Sequence, residues 1–192
     1  MSQLSLDKLV EAFGDDVLET HAFRGDETAT VARAKIVEIC TWLRDHAELK
    51  FDMLSDMTAV DYLVAGPIPT APGAGASEAA HRYEVVYHLL STVTHKRLRL
   101  KVRLTEGKPE VDTAYKVWPS ANWLEREIWD MYGLRFKGHP ELRRILLYEE
   151  FEGHPLRKDY PKEKRQPLVR RPENEIAEVK DLSGPARSLL ES

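Results

Sequence analysis

Arg97-Leu98-Arg99-Leu100-Lys101-Val102-Arg103-Leu104 alternates a base with an aliphatic residue without a break. In a strand successive side chains turn to opposite faces, so the three leucines and Val102 line one face, and the three arginines and Lys101 line the other. A helix would scatter both sets around its girth. The stretch therefore reads as a strand with one face in a core and the other in water, the usual state of an antiparallel sheet. Two readings of the basic row stand open: a solvated face, or a face that meets an acidic partner.

Working outward, residues 53–64 and 83–90 are also rich in β-branched, aromatic and alternating residues, and with 98–104 they predict a three-stranded meander. Between the first two lies AGPIPTAPGAGASEAA, residues 65–80, whose glycine, proline and alanine offer no periodicity and predict a mobile loop. Residues 17–23 and 28–32 read as a hairpin joined by Arg24-Gly25-Asp26-Glu27. Helical spacing marks three more segments. Leu6, Leu9, Val10 and Phe13 follow Ser5, a candidate cap, and Gly14 closes them. Residues 33–46 place Ile36, Val37, Ile39, Cys40 and Leu43 on one side of a wheel. Residues 120–133 place Leu124, Ile128 and Met131 together, with Ser120 or Asn122 as cap and Gly133 as a left-handed stop. This order predicts an α+β fold, a two-layer sandwich in which a mixed sheet of about five strands carries helices on one face.

Beyond Gly133 the prolines at 140, 155, 161, 167 and 172 exclude a long helix. The expected organisation is an α+β domain over residues 1–135 and an extended C-terminal arm over 136–192, with little core of its own to order the arm from about Leu156 onward. Phe136-Lys137-Gly138-His139-Pro140 recurs as Phe151-Glu152-Gly153-His154-Pro155. Two short matches do not make a repeat fold.

Composition narrows the function. The chain has 192 residues and one cysteine, Cys40, which excludes an internal disulfide and any iron-sulfur cluster held by its own thiolates, since such clusters take about four. No stretch approaches the roughly 20 apolar residues of a spanning helix. There is no GxGxxG, GxxxxGK[ST] or GxSxG, so no familiar device for binding NADH or ATP or for forming an acyl-enzyme is present. The net charge of −4 conceals an acidic head, with 12 acids against 6 bases in residues 1–60, and a basic arm, with 7 bases against 2 acids in residues 155–172. The arm could neutralise phosphates, yet Tyr160 is its only aromatic residue and no groove-reading helix accompanies it, so a protein partner is expected and nucleic acid is not.

The candidate site residues lie around the last helix. Glu125, Arg126, Glu127 and Asp130 put three acids and a base on two turns, beside Trp123 and Trp129. Carboxylates on a helix are usually solvated, but tryptophans beside them suggest a covered surface of hydrogen-bonded pairs rather than acid/base chemistry. His139 and His154 each sit between a glycine and a proline, in no metal-ligand pattern, and read as structural turns.

The run WPSANWLEREIWDMYGLRFKGHPELRRILLYEEFEGHPLRKDYP, residues 118–161, resembles the signature region of the C-type scaffold subunit of bacterial respiratory NADH:quinone oxidoreductase (complex I). Its E-R-E-x-x-D helix, its G-H-P-x-L-R-R-I-L and its G-H-P-L-R-K-D-Y-P carry the likeness. KFDMLSDMTAVDYL, RYEVVYHLLS and RLRLKV look like the same family, extending it over about residues 30–161. The 65–80 loop looks lengthened, and nothing after about Arg171 is recognised. The resemblance implies a peripheral-arm scaffold that binds no cofactor itself, FMN and the iron-sulfur clusters being in partner subunits. Its implied partners are the quinone-binding subunit and neighbouring iron-sulfur subunits. Membrane association would come through the complex, at the cytoplasmic face of the inner membrane. In that role Glu125, Arg126, Glu127, Asp130, His139, Arg143, Arg144, His154, Arg157, Lys158 and Asp159 would be interface or fold-fixing groups, with none catalytic. The other readings are the equivalent subunit of a membrane-bound hydrogenase or formate-oxidising complex, and a free-standing nucleic-acid binder.

Overall fold

The structure, a computed structural model, describes residues 4–63 and 81–169. The elements follow as α1 (Leu4–Phe13), β1 (Val17–Phe23), β2 (Asp26–Val31), α2 (Ile36–Asp45), β3 (Met53–Asp61), β4 (His81–Leu90), β5 (Arg97–Thr105), β6 (Glu110–Asp112), α3 (Ala121–Tyr132) and β7 (Arg135–Lys137). The large sheet runs β1-β2-β5-β4-β3. Its pairs are antiparallel except β2 with β5, which is parallel, so the sheet is mixed as expected. The hairpin turn is tighter than expected. Arg24 and Gly25 alone form it, both at positive φ, because Asp26 and Glu27 already pair with Phe23 and Ala22.

Leu98, Leu100, Val102 and Leu104 are buried on one face of β5, with Val85, Tyr87 and Leu89 of β4. Leu6 and Leu9 of α1, Ile36, Ile39, Cys40 and Leu43 of α2, and Ala121 and Ile128 of α3 join the same core. Burying such aliphatic faces contributes roughly 1.5–3 kcal/mol per side chain. Burial also pushes the Cys40 thiol well above its ordinary range, helped by the nearby Glu125, so Cys40 is an inert core residue.

Three of the four bases of the β5 row have partners within the sheet. Lys101 pairs with Glu84 of β4 at 2.9 Å, Arg103 with Glu19 of β1 at 2.5 Å, and Arg99 donates to Thr28 of β2 at 3.3 Å. The sheet thus supplies cross-strand partners for its own stripe. Sequence periodicity could not show this, since which acid stands opposite each base depends on strand order and register.

Two expectations are corrected. Ser120 occupies the position before α3, but its hydroxyl donates to Leu54 O at 3.3 Å instead of capping the helix. The segment after α3 is not a bare arm. β7 pairs in parallel with β6, Val111 opposite Phe136, in a small second sheet, so a boundary at 135/136 falls inside a strand. Three-residue strands leave no periodic signal in a sequence. The expected loop at 65–80 and the chain after Val169 lie outside the described residues.

Candidate functional site

The carbonyls of the last turn of an α-helix have no partners within the helix. Those of α3 are taken one after another by groups of the chain beyond Tyr132. The N–H of Gly133 donates to Trp129 O at 2.8 Å, His154 Nδ1 to Asp130 O at 2.9 Å, the N–H of Leu156 to Met131 O at 3.1 Å, and Arg157 Nε to Tyr132 O. Gly133, at φ 73°, supplies the left-handed stop expected of it. Arg157 brings a positive charge to the negative end of the helix dipole. There is no room for a side chain at Gly133: a Cβ there would lie 2.5 Å from Arg157 Nη2 and 2.6 Å from the His154 ring.

The first Gly-His-Pro serves the other end of the same helix. The Glu141 N–H donates to His139 Nδ1 at 3.0 Å, which leaves Nε2–H to donate to Asn122 O at 3.1 Å. His154 uses the opposite tautomer, with Nδ1–H the donor. Burial, reinforced by Arg157 and Arg144, holds its pKa below the ordinary value and keeps it neutral. Gly138 and Gly153 both sit at positive φ, where glycine bends the chain freely ahead of each histidine. Each histidine thus ties its turn to a backbone carbonyl of α3.

Asp130 is the centre of the site. Its side chain is fully buried; one oxygen accepts the backbone N–H groups of Ile145 (3.1 Å), Leu146 (2.9 Å) and Leu147 (2.9 Å), and the other accepts Arg144 Nη1 at 2.6 Å. Burial opposes ionisation, but these four donors outweigh it and hold the carboxyl below the ordinary range. Arg144 also donates to Phe151 O at 2.7 Å and lies 5.7 Å from the ring centroids of both Trp129 and Phe151. Arg126 donates to the carbonyls of Arg143 (3.1 Å) and Arg144 (2.9 Å). Its described partners are therefore backbone carbonyls of the 143–144 segment. Arg143 itself is exposed and, among the described residues, pairs with Glu141.

Glu125 points elsewhere, fully buried, accepting from Thr113 Oγ1 at 2.5 Å and from the Ala114 N–H at 2.7 Å. Burial pushes its carboxyl up to about 7 despite those two bonds. Glu127 is exposed.

A second cluster fastens the end of the clasp. Arg82 of β4, only 7% exposed, holds Asp61 of β3 by two bonds of 3.2 Å, Asp159 at 2.8 Å, and Glu106. The Lys158 N–H donates to the Asp61 carboxylate at 2.9 Å. Lys158 thus contributes its backbone, and its side chain stays exposed. Asp61 and Arg82 were missed from the sequence. The available signal was a charge inside each of two apolar strands, which burial tolerates only when the charges are paired.

Chemically, these groups are occupied in holding chain to chain. Among the described residues no cluster of three or more His, Cys, Asp or Glu could hold a metal ion, and no helix is long and apolar enough to cross a membrane.

Residues 29–166, which include both clusters, match the family model described as respiratory-chain NADH dehydrogenase, 30 Kd subunit. The chain belongs to that family. A relative from Geobacter sulfurreducens, an NADH-quinone oxidoreductase subunit of the C type, is 46% identical over 154 residues, 80% of this chain and 86% of the relative. The solved trypsin-resistant fragment of Nqo5 matches with a TM-score of 0.57 and 27% identity, covering 72% of this chain and all of that one. A chain of an archaeal membrane-bound sulfane sulfur reductase, with a TM-score of 0.58 but 18% identity over 83% of this chain and 85% of that one, shares the fold alone. Set within the 30 kDa family, the clasp on α3 is built from the same segment, residues 118–161, whose motifs carried the resemblance.

Proposed function

We propose that this chain is a structural subunit of the peripheral arm of a proton-translocating NADH:quinone oxidoreductase, carrying no catalytic residue and no cofactor of its own. In this reading FMN and the iron-sulfur clusters reside in partner subunits. The chain holds the quinone-binding subunit and its iron-sulfur neighbours at the cytoplasmic face of the inner membrane, where the complex as a whole anchors it. One observation carries the reading: the charged groups around α3 that could serve acid/base chemistry, Asp130, Arg126, Arg144 and Glu125, are each occupied by a partner within the fold. Groups held in this way, each by the backbone or by a paired side chain, form a rigid platform. A likeness in name to NADH-quinone oxidoreductase subunits at 46% identity favours this complex over a hydrogenase or formate-oxidising relative.

Arg126→Ala in the native organism tests it. The expected result is less assembled complex on native gels and a matching fall in NADH:quinone activity, with activity per assembled complex nearly unchanged. Normal assembly with lost turnover would mean that the chain takes part in the chemistry.

A further inference from the structure

The two borders of the large sheet differ. At β3, Ser120 Oγ reaches Leu54 O and the Lys158 N–H reaches Asp61, so neighbouring chain covers the border. At β1, the strand is paired with β2 on one side, and no described residue pairs with it on the other.

The turn fixes which groups face outward. Arg24 (φ 53°) and Gly25 (φ 92°) form a two-residue turn of the type I′ kind, which makes Phe23 and Asp26 the hydrogen-bonded pair beside it. Bonded and non-bonded pairs then alternate. His21 opposite Thr28 is bonded, whereas Ala22 opposite Glu27 and Thr20 opposite Ala29 are not. Ala22 and Thr20 therefore turn their N–H and C=O away from β2. Proteins usually guard such a border with Lys, Pro or an inward charge. β1 contains no Lys or Pro, and six of its seven residues are exposed, Phe23 at 67% and Leu18 at 49%. The bulge between Val17 and Glu19 limits the regular border to about residues 19–23.

Charge selects the occupant. Residues 4–27 hold seven acids against Lys8 and Arg24, and Asp15, Asp16, Asp26 and Glu27 stand at the two ends of β1. A second copy paired antiparallel would set these acidic ends against each other, and like charges across a strand pair oppose pairing. A segment rich in Lys and Arg would gain from the same field.

We propose that the outer border of β1 receives an extended, Lys/Arg-rich segment of a neighbouring protein as a sixth strand of the sheet. Backbone bonds to Thr20 and Ala22 give the affinity, and the acidic surroundings choose the sign of the guest. This surface is four strands away from the border that the clasp covers, and it does not depend on the clasp being an assembly site.

The test is amide hydrogen exchange on the full chain with two probes, a short peptide of alternating lysine and valine and its glutamate counterpart. The lysine peptide should slow exchange at Thr20 and Ala22 roughly tenfold or more, less so at high salt, and the glutamate peptide should not. Ala22→Pro should abolish the slowing, because it removes an outward N–H without touching the ladder to β2. Ala22→Lys, which keeps the backbone intact, should weaken it if the proline variant does not fold. Equal slowing by both peptides, or none by either, overturns the proposal. Slow exchange in the chain alone also overturns it, by showing that a second copy or another part of this chain already covers the border.

Discussion

Arg144 reaches the buried Asp130 carboxylate at 2.6 Å from a place 5.7 Å from the ring centroids of both Trp129 and Phe151, although the interval from 138 to 169 contains no regular element. An irregular segment can hold one course when its backbone N–H groups have fixed acceptors, and Asp130 provides these for Ile145, Leu146 and Leu147. The arginine and the three amides share one carboxylate, so each depends on the others.

Arg144→Ala should therefore destabilise the protein by about 3–5 kcal/mol, the cost of leaving a buried charge without its partner. Arg143→Ala, one residue away, should change stability by about 0–1 kcal/mol, since its side chain is exposed in its pair with Glu141. Urea denaturation of the two variants beside the parent measures both. Equal effects would mean that the Arg144–Asp130 pair is not closed in solution.

Trypsin distinguishes a docked arm from a loose one. Arg157 and Lys158 lie in the cluster with Tyr132, Asp61 and Arg82, whereas Lys162 and Arg165 are exposed beyond it. In the isolated chain the first cuts should follow Lys162 and Arg165, with those after Arg157 and Lys158 much slower. Mass spectrometry of early digestion products would show the order, and simultaneous cutting at all four would mean that the arm docks only on a partner.

The sequence and the fold agree where one element's periodicity decides the answer. The alternation of residues 97–104, the helical spacing of 36–43 and 124–131, and Gly133 each report their own local geometry. What stayed hidden depends on which distant residues meet. The Asp61–Arg82 pair spans 21 positions and Arg82–Asp159 spans 77, so neither has a local signature. From about Leu156 onward the arm was expected to find little core to order it, and among its described residues Leu156, Leu168 and Val169 are exposed. Order comes instead from polar groups, because α3 ends with carbonyls that need donors and the arm brings a histidine, an arginine and an amide to them. The two Gly-His-Pro motifs were visible as turns; that they serve opposite ends of one helix was not.

Glu125 makes stability depend on pH in one direction. Its folded carboxyl titrates at about 7 against an ordinary 4.5, so between these values the folded state keeps a proton that the unfolded chain has lost. Stability contributed by the neutral form is present in full below about 4.5 and is lost as the pH rises through 7. Asp61 and Asp130 act in the opposite sense, since their lowered carboxyls withdraw stability only on acidification below the ordinary 3.8. Glu125→Gln cannot ionise; its amide oxygen accepts the Ala114 N–H, and its NH2 donates to Thr113 Oγ1 with that bond reversed. Relative to the parent, the variant should gain stability as the pH rises from about 5 to about 7 and level off above that. Parallel curves from urea melts across that range would show that Glu125 titrates normally.

Gly133→Ala tests whether the helix end and the arm are one unit. Alanine at φ 73° costs about 1–2 kcal/mol for the left-handed backbone alone. Its Cβ would also enter the space of Arg157 Nη2 and the His154 ring, at 2.5 and 2.6 Å, so the arm has to move. The control is Gly107→Ala, where a Cβ would meet nothing within 4 Å. The Gly133 variant should lose more stability than the left-handed cost predicts, and cutting by trypsin after Arg157 should become fast in it while remaining slow in the Gly107 variant. A loss confined to stability, with Arg157 still protected, would place the strain in α3 alone and separate the helix stop from the clasp.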